Sequence, residues 1–125
     1  MNMIYQARVI AVSTDIEELV VVEIEGLVLT CFAVVCPYRI ECGSSYPVTL
    51  ELWSLEGLEL QDAETMDVSM QQIGDGFRYR IVGCLNGDVL DAGIKFVDEV
   101  FSREYGYLSG HGVVVEVDRI QITFD

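Results

Sequence analysis

Basic side chains are scarce in this chain. Its 125 residues include a single lysine and six arginines against 21 acidic residues, a formal charge of −14. Between residues 9 and 77 the only basic residue is Arg39, set against thirteen acids. Nucleic-acid binding draws its affinity from Lys and Arg that displace counterions from phosphate, so a duplex-binding stripe is excluded. Anionic membrane surfaces are disfavoured for the same reason. Two prolines leave no room for a Pro-rich linker. There is no Gly-x-x-x-x-Gly-Lys, no Gly-x-Gly-x-x-Gly and no His-Glu-x-x-His, which removes the common phosphate, dinucleotide and zinc-protease signatures. The most apolar stretch, residues 27–36, is about half the length a membrane-spanning helix needs.

What the chain does have is apolar mass. Half of it, 51%, is hydrophobic, so the charge does not signal a disordered acidic tail. The length suits one domain, residues 1–125, able to bury roughly two-thirds of its unfolded surface. The segment Met1 to Arg8 lacks the basic start and long apolar run of a secretory signal. A soluble, cytoplasmic protein with reduced cysteines is the expectation. Cys31 and Cys84 lie inside apparent strands, where cysteine acts as a small hydrophobe. Cys36 and Cys42 flank a loop and could pair under oxidising conditions.

Period-two alternation dominates. Residues 4–13 predict a first strand. Residues 19–36 predict a long strand bent at Gly26, a barrel device. Residues 48–60 predict a third strand bent at Gly57. Ala63, Met66, Met70 and Ile73 then fall at helical spacing, predicting a short helix over 62–73 capped by Asp62 and Gly74, although Val68-Ser69-Met70 also fits a strand. Residues 77–85 and 89–97 predict a hairpin through Asn86-Gly87 with a type I′ turn. Residues 98–112 form a long excursion with one helical turn near 99–103, and 113–124 a closing strand with a bulge near Asp118-Arg119.

The fold class is therefore all-β with at most one or two short helices. A closed or partly open antiparallel β-barrel is expected, with a two-sheet β-sandwich as the alternative. A helix after strand three, followed by two more strands, resembles the order of an OB-fold barrel. The resemblance is one of topology, carried by no residue motif, with the last strand left over.

Chemistry is thinly marked. His111 is the only histidine and sits in Ser109-Gly110-His111-Gly112, where it could serve as a general base beside Ser109. Cys31, Cys36 and Cys42 do not have zinc spacing. Asn86, Asp88 and Asp91, or Asp62, Glu64 and Asp67, supply oxygens but not an EF-hand pattern. No catalytic residue, metal or cofactor is assigned. The leading reading is a non-enzymatic acidic domain that binds a basic protein, in its sharpest form an inhibitor or immunity-type protein. Glu17, Glu18, Glu56, Glu59, Asp62 and Glu64 are the candidate contact acids. The second reading is a small-ligand barrel or an enzyme using the 98–112 loop, with Trp53, Phe101, Tyr105, Tyr107 and His111 forming an aromatic face or pocket. The third is an oligomeric structural protein whose β-edges pair between copies.

Overall fold

A computed structural model describes residues 3–125; the first two residues of the segment tested for a signal, Met1 and Asn2, lie outside the described residues. The chain runs β1 (Ile4–Val12), β2 (Leu19–Ile24), β3 (Leu27–Val35), β4 (Ser45–Trp53), β5 (Gln61–Asp62), β6 (Ser69–Gln72), β7 (Tyr79–Asn86), β8 (Val89–Asp91) and β9 (Lys95–Val97). Helix α1 (Glu99–Tyr105), a 3-10 turn (Gly106–Leu108), β10 (Gly112–Val117) and β11 (Arg119–Phe124) complete it.

Five strands close a barrel in the order β1-β2-β3-β11-β4, with β4 returning to β1. All its pairings are antiparallel except β3 with β11. Strand alternation explains it: on β2 every second residue, Val20, Val22 and Ile24, is buried, and its neighbours are not. The second sheet, ordered β5-β10-β7-β8-β9 with β6 also on β7, is inserted between β4 and β11. One cluster of buried side chains contains residues of both sheets, from Val9 and Ile122 in the barrel to Ile81 and Phe96 outside it.

The all-β barrel expectation holds, but the OB-like order rests on a helix after strand three that does not form, and the ring is assembled from other pieces than the sequence suggests. The final strand, left over in the sequence reading, is the one that closes the barrel. Its bulge is a corner: Asp118 separates β10, in the second sheet, from β11, in the barrel. The helix over 62–73 does not form. Residues 61–62 and 69–72 are strands instead. A helical stripe stabilises only if it buries, and here Met66 is 59% exposed while Met70 packs on the core. Pairing with β7 bonds the backbone of Ser69 and Gln71 and packs the half-buried Met70 against the core.

Two turns also differ. Residues 19–36 are not one bent strand but a hairpin, Ile24 opposite Leu27. Glu25 and Gly26 both have positive φ, 51° and 84°, the signature of a type I′ turn. The β7–β8 hairpin pairs Asn86 with Val89, so its turn residues are Gly87-Asp88. Gly87 has φ 61° and Asp88 is not in the positive-φ region; glycine in the first central position marks type II′.

Tyrosine hydroxyls join the sheets. β11 pairs with β3 only from Phe32 onward, leaving the first half of β3 without a neighbour on that side. Tyr79 of β7 reaches across, and its hydroxyl oxygen accepts from Thr30 N–H at 2.8 Å. Tyr5 of β1 does the reverse: its hydroxyl accepts from Lys95 N–H at 2.8 Å and donates to Lys95 O at 3.4 Å. Burial raises the pKa of both phenols, and it pushes the buried Cys31 thiol up to about 12.

Two outcomes follow. Tyr79→Phe keeps the ring and strands the Thr30 N–H, so urea denaturation should record a loss of about 1–2 kcal/mol. The raised Cys31, Tyr5 and Tyr79 values mean that the folded chain holds these protons more tightly than the unfolded one. Their contribution is complete below the unfolded values, about 9 for the thiol and 10 for the phenols, and is lost as pH rises through the folded ones. The urea midpoint should be level from pH 7 to about 9 and fall steadily toward pH 12; a midpoint that holds to pH 12 contradicts this.

Candidate functional site

The chain leaves the barrel at Trp53 and runs outward through residues 54–60 before β5 joins β10. β5 meets β10 at only two positions, Val113 opposite Asp62 and Val114 opposite Gln61. Beyond them the two segments diverge, and two adjoining clefts of about 320 and 380 Å³ open between them. Glu59 and Glu116 line both. Glu56 and Asp118 line the larger, with Arg78; Arg80 lines the smaller. Arg78 approaches Glu116 at 3.6 Å, an exposed pair worth little in stability. Asp118 Oδ2 accepts from Leu55 N–H at 2.9 Å, holding the bend.

After β5 the chain crosses the second sheet to reach β6. The Thr65 carbonyl lies directly against Gly112, where any Cβ would overlap it. Beside this crossing a third cleft, about 330 Å³, is lined by Asp62, Glu64, Thr65, Met66, Gly110, His111 and Gly112. His111 Nδ1 is 3.5 Å from Asp62 Oδ2. Asp62 Oδ1 accepts from Glu64 N–H at 2.8 Å, so the residue expected to cap a helix forms a side-chain turn instead. Ser109 Oγ accepts from Gly87 N–H at 3.0 Å and so serves the β7–β8 hairpin.

Four of the six candidate acids therefore share one margin: Glu56, Glu59, Asp62 and Glu64 follow each other along the 54–66 segment. Glu116 and Asp118, from the C-terminal part of the chain, join them. Glu17 and Glu18 do not. They sit in the β1–β2 loop, at the end of the barrel where β1 and β3 finish. The second sheet departs from and returns to the opposite end, where β4 finishes and β11 begins. Strands six to nine residues long separate the two.

The aromatic residues likewise divide. Phe101 is fully buried and anchors α1 in the core, so it forms no part of an accessible face. The 98–112 loop is pinned by it and by Leu108. Tyr105 donates its hydroxyl proton to Leu58 O at 3.0 Å, and its ring lies 6.3 Å from that of Tyr107, which is 74% exposed. Trp53 belongs to the barrel. The guanidinium of Arg119 lies between the Trp53 and Phe32 rings, 4.2 and 4.0 Å from their centroids. With its carbonyl oxygen turned inward, Gln121 accepts from Arg119 Nε and Nη2 at 3.0 and 2.9 Å. The parts of this clamp lie on β3, β4 and β11, and no local sequence pattern links them.

The cysteines are free thiols, Cys36 and Cys42 exposed and Cys31 buried. Among the described residues, no three His, Cys, Asp or Glu side chains are grouped to hold a metal ion. No helix among them is long and apolar enough to cross a membrane. A family model described as "Uncharacterised conserved protein UCP019853" matches residues 3–125. No curated protein matches the chain.

Gly112→Ala should force the Thr65 carbonyl off the sheet. Urea denaturation should show a loss of about 1–3 kcal/mol, and the Glu64 amide should exchange faster as its turn with Asp62 loosens. Unchanged stability and exchange would mean that the crossing is not held there.

Proposed function

We propose, from the premise that the chain belongs to the family of uncharacterised conserved protein UCP019853, that it is a non-enzymatic binding domain for a basic protein. The observation that carries this reading is the acidic margin. Glu56, Glu59, Asp62, Glu64, Glu116 and Asp118 line three clefts along one margin, against Arg78 and Arg80. Carboxylates gathered on one surface steer a cationic partner and orient it on encounter. The inhibitor or immunity-type role is the sharper form of the same reading. The free thiols suit a reducing, cytoplasmic setting.

The His111–Asp62 pair supports the enzymatic alternative less. A carboxylate can orient an imidazole, but Ser109 is engaged in a hairpin turn and the 98–112 loop is anchored in the core. A structural oligomer draws on a different feature, an open strand edge, taken up below.

Two variants of equal net charge test the reading. One carries Glu56→Gln, Glu59→Gln, Asp62→Asn and Glu64→Gln. The other carries Asp15→Asn, Glu17→Gln, Glu18→Gln and Glu41→Gln, away from the margin. Association with a lysine-rich test protein is measured by biolayer interferometry at low and high salt. The margin variant should lose about tenfold or more in on-rate at low salt, and the other much less. Equal losses would reduce the margin to part of the overall charge and end the proposal.

A further inference from the structure

The edges of the second sheet are closed in different ways, and one is left open. The barrel closes on itself except along the first half of β3, where the Tyr79 hydroxyl meets Thr30 N–H. At β9 the Tyr5 hydroxyl occupies both backbone groups of Lys95. β5 is two residues long and flanked by Glu59 and Glu64. β6 differs. Ile73 N–H donates to Arg78 O at 2.8 Å, and the register sets Gln71 opposite Arg80 and Ser69 opposite Val82. Bonded and non-bonded pairs alternate in an antiparallel ladder, so Ser69, Gln71 and Ile73 turn their backbone groups to β7. Met70 and Gln72 turn theirs outward. Among the described residues β6 pairs with β7 alone. The edge carries no Lys, Pro or charge in Ser69–Gln72, the devices that usually guard such an edge.

We infer that this edge accepts an extended segment of a basic protein as an added strand. The inference rests on the reading of the chain as a binder of basic partners and specifies how such a partner is held. The occupant's chemistry follows from the flanks. Asp67 precedes the edge and Asp75 follows it, both exposed and neither in an ion pair among the described residues. The edge itself is neutral. A segment with an apolar or hydroxylic centre and Lys or Arg at each end complements that pattern, and its backbone supplies the missing ladder bonds. A second copy of the chain would instead bring acidic flanks together.

The probe is a nine-residue peptide, Lys-Arg-Thr-Val-Thr-Val-Thr-Arg-Lys, against the same peptide N-methylated at alternate central residues, which keeps charge and removes ladder donors. Binding to the intact protein is measured by calorimetry, and amide exchange at Met70 and Gln72 by NMR. The plain peptide should bind about tenfold tighter or more and slow both amides. Met70→Pro should erase the difference, since the Met70 N–H is outward and its loss breaks no ladder bond to β7. If that variant does not fold, the methylation comparison on the native chain still decides. Equal binding without protection overturns the added strand and leaves charge-based binding standing. Binding of neither peptide counts against both. Protection that needs no peptide and grows with protein concentration identifies a second copy as the occupant, and overturns the inference.

Discussion

The structure turns on how the backbone of β3 is satisfied where β11 does not reach. A five-stranded ring with a single parallel seam has little overlap to spend, and here the seam begins only at Phe32. A buried strand with open N–H groups costs roughly 1–3 kcal/mol for each one left unmade. The second sheet removes that cost at Thr30. It sets Tyr79 against Thr30 and Gln72 beside the Thr30 hydroxyl, while the barrel returns the favour through Tyr5 at Lys95. Neither sheet is complete alone, and the shared core is the apolar counterpart of the same dependence.

That dependence explains where the tolerances are smallest. Leaving and re-entering a closed ring requires that Trp53 and Arg119, opposite each other on β4 and β11, be the two ends of a 65-residue insertion, residues 54–118. Ser54 and Asp118 hold the neck: Asp118 N–H donates both to Trp53 O and to Ser54 Oγ. The chain must also pass over its own sheet on the way to β6, and only a glycine at 112 leaves room for the Thr65 carbonyl. Arg119, at the neck, is held between two rings on the barrel wall; a cation so placed contributes about 0.5–2 kcal/mol.

Much of this was legible, and the failures have physical causes. Alternation located β1, β2 and β4 because each buries one face, a condition that shows in the residues themselves, and the β-branched run of β10 and the aromatic–aliphatic run of β7 marked those strands. A lone glycine between two apolar strands marks a bend as readily as a reversal, and the positive φ at Glu25 that makes Gly26 part of a reversal leaves no mark in the sequence. The helix over 62–73 had the right spacing, but spacing does not say whether a stripe will be buried, and Met66 is not. For the site, the acids were found individually. Their grouping depended on β10 running beside the 54–62 segment, a pairing between residues some fifty positions apart that local pattern does not encode. Phe101 was misplaced for a related reason: an aromatic in a long excursion looks available until the excursion folds back.

Net charge and charge placement act separately in this molecule. Arg8 with Glu23, and Arg103 with Glu99 and Glu104, neutralise parts of the surface locally, and Glu17 and Glu18 lie at the far barrel end, in the β1–β2 loop. The 54–66 margin contains an ion pair too, Arg78 with Glu116, but there geometry gathers acids from two segments of the chain. The divergence of β5 from β10 opens clefts, and the clefts are lined from both sides, by Glu56 and Glu59 on one segment and by Glu116 and Asp118 on the other. Low-dielectric walls lengthen the reach of such a field compared with the same charges on a flat face. Acids on both sides of residue 77 therefore meet at this margin, Glu56 and Glu59 with Glu116 and Asp118. Asp118, whose backbone N–H holds the neck, also contributes a carboxylate to the margin, so the residue that lets the second sheet be inserted helps to make the surface the insertion presents.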